Sequence, residues 1–103
     1  VFGGDFNNSV IWDKPNNKNN FQNINTHLES LGFTSAYHAN TDDDFGCEES
    51  ATFFHTKQKS KKYHIDYLYL KSLELSYVEL GKYEDWINLS DHCPLIVRCN
   101  NLN

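Results

Sequence analysis

Tyr63-His64-Ile65-Asp66-Tyr67-Leu68-Tyr69-Leu70 is the stretch of sequence that decides the fold. Its aromatic and β-branched residues are typical of a strand. The run from Thr52 to Thr56 has the same character, and a short segment that holds Lys57, Lys59, Lys61 and Lys62 separates the two. This pattern predicts two paired strands joined by a lysine-rich loop.

A strand and a helix are predicted on the N-terminal side of this pair. Val1 to Gly4 has the pattern of a short buried strand that ends at Asp5, and the Asn-rich stretch from Asn7 to Asn20 predicts a loop. An amphipathic helix follows, because apolar residues recur at helical spacing and Gly32 occupies the place of a left-handed C-terminal cap. The apolar residues of this helix are Phe21, Ile24, Leu28 and Leu31.

The remaining segments complete a sheet. Phe33 to His38 predicts a short strand, and Ala39 to Ser50 predicts a solvated polar loop. Leu75 to Leu80 alternates as a strand does, and Leu95 to Cys99 predicts the strand that closes the sheet. We therefore expect an α/β (α+β) fold with one mostly antiparallel or mixed sheet, a covering helix, and apolar residues on both sheet faces.

Composition restricts the class of protein. The chain has 103 residues, a net charge of −5, and three cysteines without CxxC spacing. We interpret Cys47, Cys93 and Cys99 as reduced thiols, which predicts a cytoplasmic protein. No apolar run approaches the roughly 20 residues of a spanning helix, so no membrane partner is expected. The chain has no Met and opens inside a strand-like run, which leads us to expect a piece of a longer protein.

Three short motifs carry polar residues suited to catalysis: Gly4-Asp5-Phe6-Asn7, His64-Ile65-Asp66-Tyr67 and Ser90-Asp91-His92. Each motif alone is compatible with an ordinary turn or strand end. Together they hold three carboxylates, an amide and two imidazoles in apolar-flanked segments, and a sheet can deliver such groups to one place. The combination indicates a metal-assisted site that cleaves phosphoesters.

The order of these motifs, with Thr52-Phe53-Phe54 between the first two, resembles the C-terminal half of an endonuclease/exonuclease/phosphatase domain. That superfamily includes pancreatic-type DNase, exonuclease III-like abasic-site nucleases, and inositol-polyphosphate and sphingomyelin phosphoesterases. The likeness covers nearly the whole chain. Ser9, Trp12-Asp13 and Tyr63-His64 also look like a branch of small bacterial members.

The resemblance implies a four-layer α/β/β/α sandwich in which residues 1–103 form the C-terminal half. The N-terminal half of such a domain carries a metal-binding Glu, an Asn and a second His, none of which belongs to the present residues. A half-domain alone would leave apolar strands uncovered, so we expect the isolated chain to be inactive and to self-associate.

Each of the candidate catalytic residues suits one part of phosphodiester hydrolysis. Asp5 can take a proton from the attacking water, and Asn7 can donate an amide N–H to a phosphoryl oxygen. His92 can stabilise the phosphate when protonated, and Asp66 can orient its ring, a pairing that the resemblance also implies. Asp91 can hold a hard divalent cation, with Asp5 and Asn7 as further oxygen ligands. We expect Mg²⁺, with Mn²⁺ as the alternative.

Other residues near the motifs are candidates for substrate binding. Core packing and stacking on a base or sugar are equally open for Trp12, Phe54 and Tyr63. Strand alternation would turn His64 to the same face as Asp66. Lys57 and Lys61 belong to a loop that is either simply solvated or a clamp for a phosphate backbone. His27 and His38 are expected to be structural or superficial.

Three classes of function remain open from the sequence. The first is a magnesium-dependent nuclease, which the lysine loop and aromatic residues favour. The second is a phosphatase or phosphodiesterase that acts on a small molecule or lipid headgroup, because the acidic net charge does not require nucleic acid. The third is an inactive half-domain that needs its N-terminal partner.

Overall fold

The computed structural model describes residues 1–102, and over these residues the chain has an α+β fold of seven strands in three antiparallel sheets. The strands are β1 (Phe2–Asp5), β2 (Thr34–Ser35), β3 (Phe53–Phe54), β4 (Lys62–Tyr63), β5 (Asp66–Leu70), β6 (Leu73–Leu80) and β7 (Leu95–Asn101). The α-helices are α1 (Phe21–Ser30), α2 (Ala36–Thr41) and α3 (Tyr83–Trp86), with 3-10 turns at Val10–Trp12 and His55–Lys57. No helix within residues 1–102 is long and apolar enough to cross a membrane.

The main sheet has the order β1-β5-β2, with the buried strand β5 in the centre. β1 pairs with β5 in a register that sets Asp5 opposite Asp66. Gly3 is required for this pairing, because a Cβ atom at Gly3 would lie 2.5 Å from the carbonyl oxygen of Tyr67. The prediction that β1 is buried is wrong: its residues are exposed, since β1 lies at an edge of the sheet.

An aromatic core lies between this sheet and α1. Phe21, Tyr67 and Tyr69 form its buried centre, and Phe6, Val10, Leu28, Phe33 and Phe45 pack around them. Tyr69 donates from its hydroxyl to the Asn25 side chain across a distance of 2.9 Å, so a buried polar pair joins helix and sheet. The prediction of α1 is confirmed, and Gly32 follows it with a φ of +89°. Ile24 and Leu31, however, remain largely exposed.

The central strand pair is shorter than predicted. Only Phe53–Phe54 and Lys62–Tyr63 pair with each other, while Asp66–Leu70 pairs with β1 and β2 instead. The Thr52 hydroxyl accepts from the amides of Ile65 and Asp66 at 3.0 and 3.2 Å. A side chain therefore takes the place of a ladder partner there, and one predicted strand becomes two.

The segment from Phe33 to Ser50 also differs from its prediction. Only Thr34–Ser35 is a strand, and the chain then turns into α2, which ends at a left-handed Asp42. The following loop is not uniformly solvated, because the Glu48 side chain is buried against His38. A hydrogen bond of 2.7 Å between these side chains explains why a charged residue is inside.

β6 and β7 form a separate two-stranded ribbon. Both strands lie where they were predicted, but β7 does not close the main sheet, because its ladder partner is β6. The register shifts between Leu75 and Tyr77 at a bulge or irregularity. Tyr77 and Ile96 are exposed on this ribbon.

Candidate active site

Asp5, Asp66 and His92 come together at one end of the main sheet. Asp5 ends β1, Asp66 begins β5 directly opposite, and His92 lies in the turn that leads to β7. One ligand atom from each residue lies within 4.8 Å of the others. Residues far apart in sequence therefore form one cluster because antiparallel pairing brings the end of one strand to the start of another.

His92 is held between the two carboxylates. Its Nδ1 lies 2.8 Å from Asp66 Oδ2, and its Nε2 lies 3.6 Å from Asp5 Oδ2. An ionised carboxylate only accepts hydrogen bonds, so Nδ1 carries a proton and donates a hydrogen bond to Asp66. Nε2 can then exchange a proton, because the His92 side chain is 30% exposed to solvent. This is the geometry of an oriented general acid or base.

The turn that carries His92 is fixed by backbone hydrogen bonds to β3 and its neighbours. Phe54 donates from its amide to the Asp91 carbonyl, and Cys93 donates to the Thr52 carbonyl, both across 2.8 Å. The Ser90 hydroxyl accepts from the His92 amide at 3.0 Å. The position of the imidazole is thus set by the short β3 strand rather than by β7.

Thr52 is a site-forming residue that sequence reasoning missed. It is completely buried, and its backbone amide donates to the Tyr63 carbonyl at 2.9 Å. Its carbonyl holds Cys93 beside His92, while its hydroxyl holds the amide of Asp66. The signal for this role is the Thr52-Phe53-Phe54 motif, which by itself predicts only a strand.

The two other predicted catalytic residues lie at the edge of this cluster. Asp91 Oδ1 is 4.0 Å from His92 Nε2, and its side chain is about half exposed. Asn7 adopts a left-handed backbone with a φ of 49°, and its amide donates to Asp5 Oδ1 at 2.8 Å. This contact holds the Asp5 carboxylate in one orientation, and the Asn7 side chain is exposed.

Three carboxylates, from Asp5, Asp66 and Asp91, lie around the His92 imidazole. Their oxygen atoms are the type of ligand that a hard cation prefers.

An aromatic wall, consisting of Trp12, Tyr63 and Phe53, borders His92. The rings of Trp12 and Tyr63 are 5.3 Å apart, and those of Phe53 and His92 are 4.9 Å apart. Trp12 is 46% exposed, so part of this wall faces solvent. Phe54 does not belong to it: the side chain is buried on the other side and packs on Tyr83 at 4.6 Å. Alternation along β3 separates the two phenylalanines, and the sequence does not show which of them turns to the site.

The lysine loop is attached to α3. Lys59 forms an ion pair with Glu84 at 2.6 Å, and the Tyr83 hydroxyl donates to the Lys57 carbonyl at 2.8 Å. The side chains of Lys57 and Lys61 are exposed. Lys59 is therefore committed to an internal contact, whereas Lys57 and Lys61 present their charge to solvent.

His64 lies in a different cluster from Asp66. It is 5% exposed, and its ring packs at 4.5 Å from Tyr37, on the side of α2. The expectation from strand alternation is wrong, because His64 and Ile65 lie between β4 and β5 rather than inside a strand. His38 and Glu48 complete this second cluster, and no sequence motif marks either of them.

Comparisons with family models, with curated proteins and with solved structures produced no match to this chain. The geometry of the residues themselves is the basis on which a function can be proposed.

Proposed function

We propose that this chain supplies the acid–base residues and part of the metal site of a magnesium-dependent phosphodiester hydrolase, a nuclease of the endonuclease/exonuclease/phosphatase superfamily. One observation carries the proposal: His92 lies between two carboxylates, with Nδ1 2.8 Å from Asp66 and Nε2 3.6 Å from Asp5, and its side chain is 30% exposed. A carboxylate–imidazole pair beside another carboxylate can supply the acid and the base for in-line hydrolysis of a phosphodiester.

The roles follow from the contacts. Asp66 accepts from Nδ1 and orients the ring, so that the Nε2 proton of the protonated imidazole can meet a phosphoryl oxygen. The backbone amide of Asn7 donates to Asp5 Oδ1 and holds the carboxylate in place. Asp5 can then accept the proton of the attacking water. The Asn7 side chain is free to donate to the phosphate. Groups arranged in this way each contribute to the same transition state.

A divalent cation fits beside these residues. Asp5 and Asp91 offer carboxylate oxygens and Asn7 offers an amide oxygen, which are the donors that Mg²⁺ prefers, and Mn²⁺ accepts the same set. When bound, the cation would stabilise negative charge on the phosphoryl group. Further ligands would come from the N-terminal Glu and Asn that the resemblance implies.

We propose that the main sheet and the β6–β7 ribbon form one half of a four-layer sandwich. Phe2, Tyr77 and Ile96 expose apolar surface on strands, and a second sheet packed on such surface would cover it. The same surface would lead the isolated chain to self-associate when that partner half is missing.

Nucleic acid is the substrate class that the surroundings of His92 support best. The aromatic wall offers partly exposed rings on which bases can stack. Lys57 and Lys61 present positive charge in the loop that joins β3 to β4. A small phosphoester is the second candidate, because the net charge is −5 and Lys59 is neutralised by Glu84.

A nicking assay on plasmid DNA with the complete protein tests the proposal. We expect cleavage that needs Mg²⁺, stops in excess chelator, and falls at least about 100-fold in Asp5→Asn and His92→Gln. His27→Gln is the matched control, because His27 lies exposed on α1. Full cleavage in chelator would exclude the metal-assisted mechanism. Turnover of bis(p-nitrophenyl) phosphate without cleavage of DNA would favour the second candidate. If the unmodified protein cleaves neither substrate, the domain is inactive.

A further inference from the structure

A second group of metal-ligand residues lies inside the protein, away from the proposed active site. His38 comes from α2, Glu48 from the loop that follows it, and His64 from the link between β4 and β5. One donor atom of each lies within 4.8 Å of the others. All three side chains are buried, so the cluster joins three segments in a region that water scarcely reaches.

His64 contains an unpaired buried nitrogen. Its Nδ1 lies 2.9 Å from the Ser50 carbonyl oxygen, which can only accept, so Nδ1 must carry the proton. Nε2 is then a bare acceptor, and it has no hydrogen-bond partner within residues 1–102. Burial also lowers the pKa of His64. A buried polar atom without a partner is costly, and a neutral imidazole nitrogen is a common metal ligand.

His38 and Glu48 are oriented by contacts on their outer sides. His38 Nε2 lies 2.7 Å from Glu48 Oε2, while its Nδ1 lies 2.7 Å from the Ser35 hydroxyl. The other Glu48 oxygen accepts from the Gly46 amide at 3.1 Å. Burial opposes the charge of Glu48, but the hydrogen bond with His38, a backbone hydrogen bond and the two nearby histidines together outweigh it, so the pKa of the carboxyl is lowered. Each of the three ligands thus has one atom fixed by a neighbour, as in protein metal sites.

A small cavity adjoins the cluster. It has a volume of about 100 Å³, and its lining includes Glu48, His64 and Ser50. This volume has room for a small ion and a water ligand. The cavity therefore lies directly beside two of the three residues of the cluster, His64 and Glu48.

We propose that His38 Nε2, Glu48 Oε2 and His64 Nε2 bind one Zn²⁺ ion, with a water from the cavity as the fourth ligand. Two imidazoles and one carboxylate suit zinc, whereas Mg²⁺ prefers oxygen donors. The His38–Glu48 hydrogen bond opens when the ion enters. The Nε2 proton of His38 is lost and Nδ1 becomes protonated, so the ring stays neutral and Nδ1 donates a hydrogen bond to the Ser35 hydroxyl. The ion fastens α2 and the loop of residues 42–52 to the link before β5, so its effect is on stability.

Titration of the metal-free full-length protein with Co²⁺ tests the ligands. Tetrahedral Co²⁺ absorbs visible light far more strongly than octahedral Co²⁺, so the inner site and the carboxylate-rich active site are distinguishable. We expect one intense band that zinc abolishes by displacement. His64→Gln should remove the band, and Glu48→Gln should weaken binding about 10-fold or more.

Two matched variants and one measurement without mutation complete the test. His27→Gln on exposed α1 and His92→Gln in the active site should keep the band. Excess Zn²⁺ at about 100 times its Kd should raise the Tm of the unmodified protein by about 10 °C. A band that is lost in His92→Gln but kept in His64→Gln would overturn the assignment. Absence of both the band and the Tm shift in the unmodified protein would overturn the site itself.

Discussion

Replacing Thr52 with Val should destabilise the protein and disturb the active site together. Val has nearly the shape of Thr, so the change removes the hydroxyl without creating a large cavity. The hydroxyl accepts from two amides, those of Ile65 and Asp66, at 3.0 and 3.2 Å. Thr52 is 0% exposed, so no water can take over these contacts without local opening.

The magnitude follows from the two amides. A buried donor left without a partner costs about 1–3 kcal/mol, so two donors that share one oxygen should cost about 2–4 kcal/mol in the free energy of unfolding. For a domain of this size, that loss lowers the Tm by roughly 10–25 °C. It is a large part of the 5–15 kcal/mol that is typical of total stability.

Urea unfolding, monitored by circular dichroism, measures this effect. Thr26→Val is the matched control, because Thr26 is exposed on α1 and the same change there should alter stability by less than about 0.5 kcal/mol. The midpoint for Thr52→Val should fall while the slope stays constant. Equal stabilities of the two variants would refute the argument that the Thr52 hydroxyl joins the strands around Asp66.

Three further outcomes are expected. Because burial lowers the pKa of His64, the unfolded chain binds its proton more readily, so in metal-free protein the stability that this residue contributes is present above pH 6.5 and is lost as the pH falls below it. His64→Gln should flatten that decline in unfolding curves, and an unchanged pH profile would contradict it. In a double-mutant cycle on hydrolysis, Asp66→Ala should cost little once His92→Ala is present, whereas multiplying losses would show that the two act separately. If nucleic acid is bound, Lys61→Gln should reduce the slope of log affinity against log salt by about one unit, and Lys57→Gln should do the same; a slope unaffected by either change would remove the lysines from the interface.

The sequence predicts the elements whose pattern depends on neighbouring residues along the chain. Apolar spacing and Gly32 predict α1, and alternation predicts the strands of the ribbon, because these patterns depend on neighbours along the chain. The order of the motifs predicts that Asp66 and His92 meet, and their side chains lie 2.8 Å apart in the structure. What these residues do there remains a prediction.

Other features depended on contacts between distant segments. The division of the stretch from Tyr63 to Leu70 into two strands follows from the Thr52 hydroxyl, and no local pattern reveals that a side chain replaces a ladder partner. The inward position of Glu48 depends on His38, ten residues earlier and on another element. Phe53 faces His92, whereas Phe54 packs on Tyr83. The sequence does not distinguish the two residues, because both faces of β3 are apolar.

The pairing of β1 with β5 also has a consequence for synthesis on the ribosome. β1 can find its partner only after the chain has been made through Leu70, and at about 5–20 residues per second this takes on the order of seconds. Throughout that interval Phe2 and Phe6 lack the Tyr69 and Tyr67 rings that they pack against in the folded protein. The nascent chain therefore carries an unpaired, aromatic strand, which is the type of segment that chaperones bind and that aggregates when they are scarce.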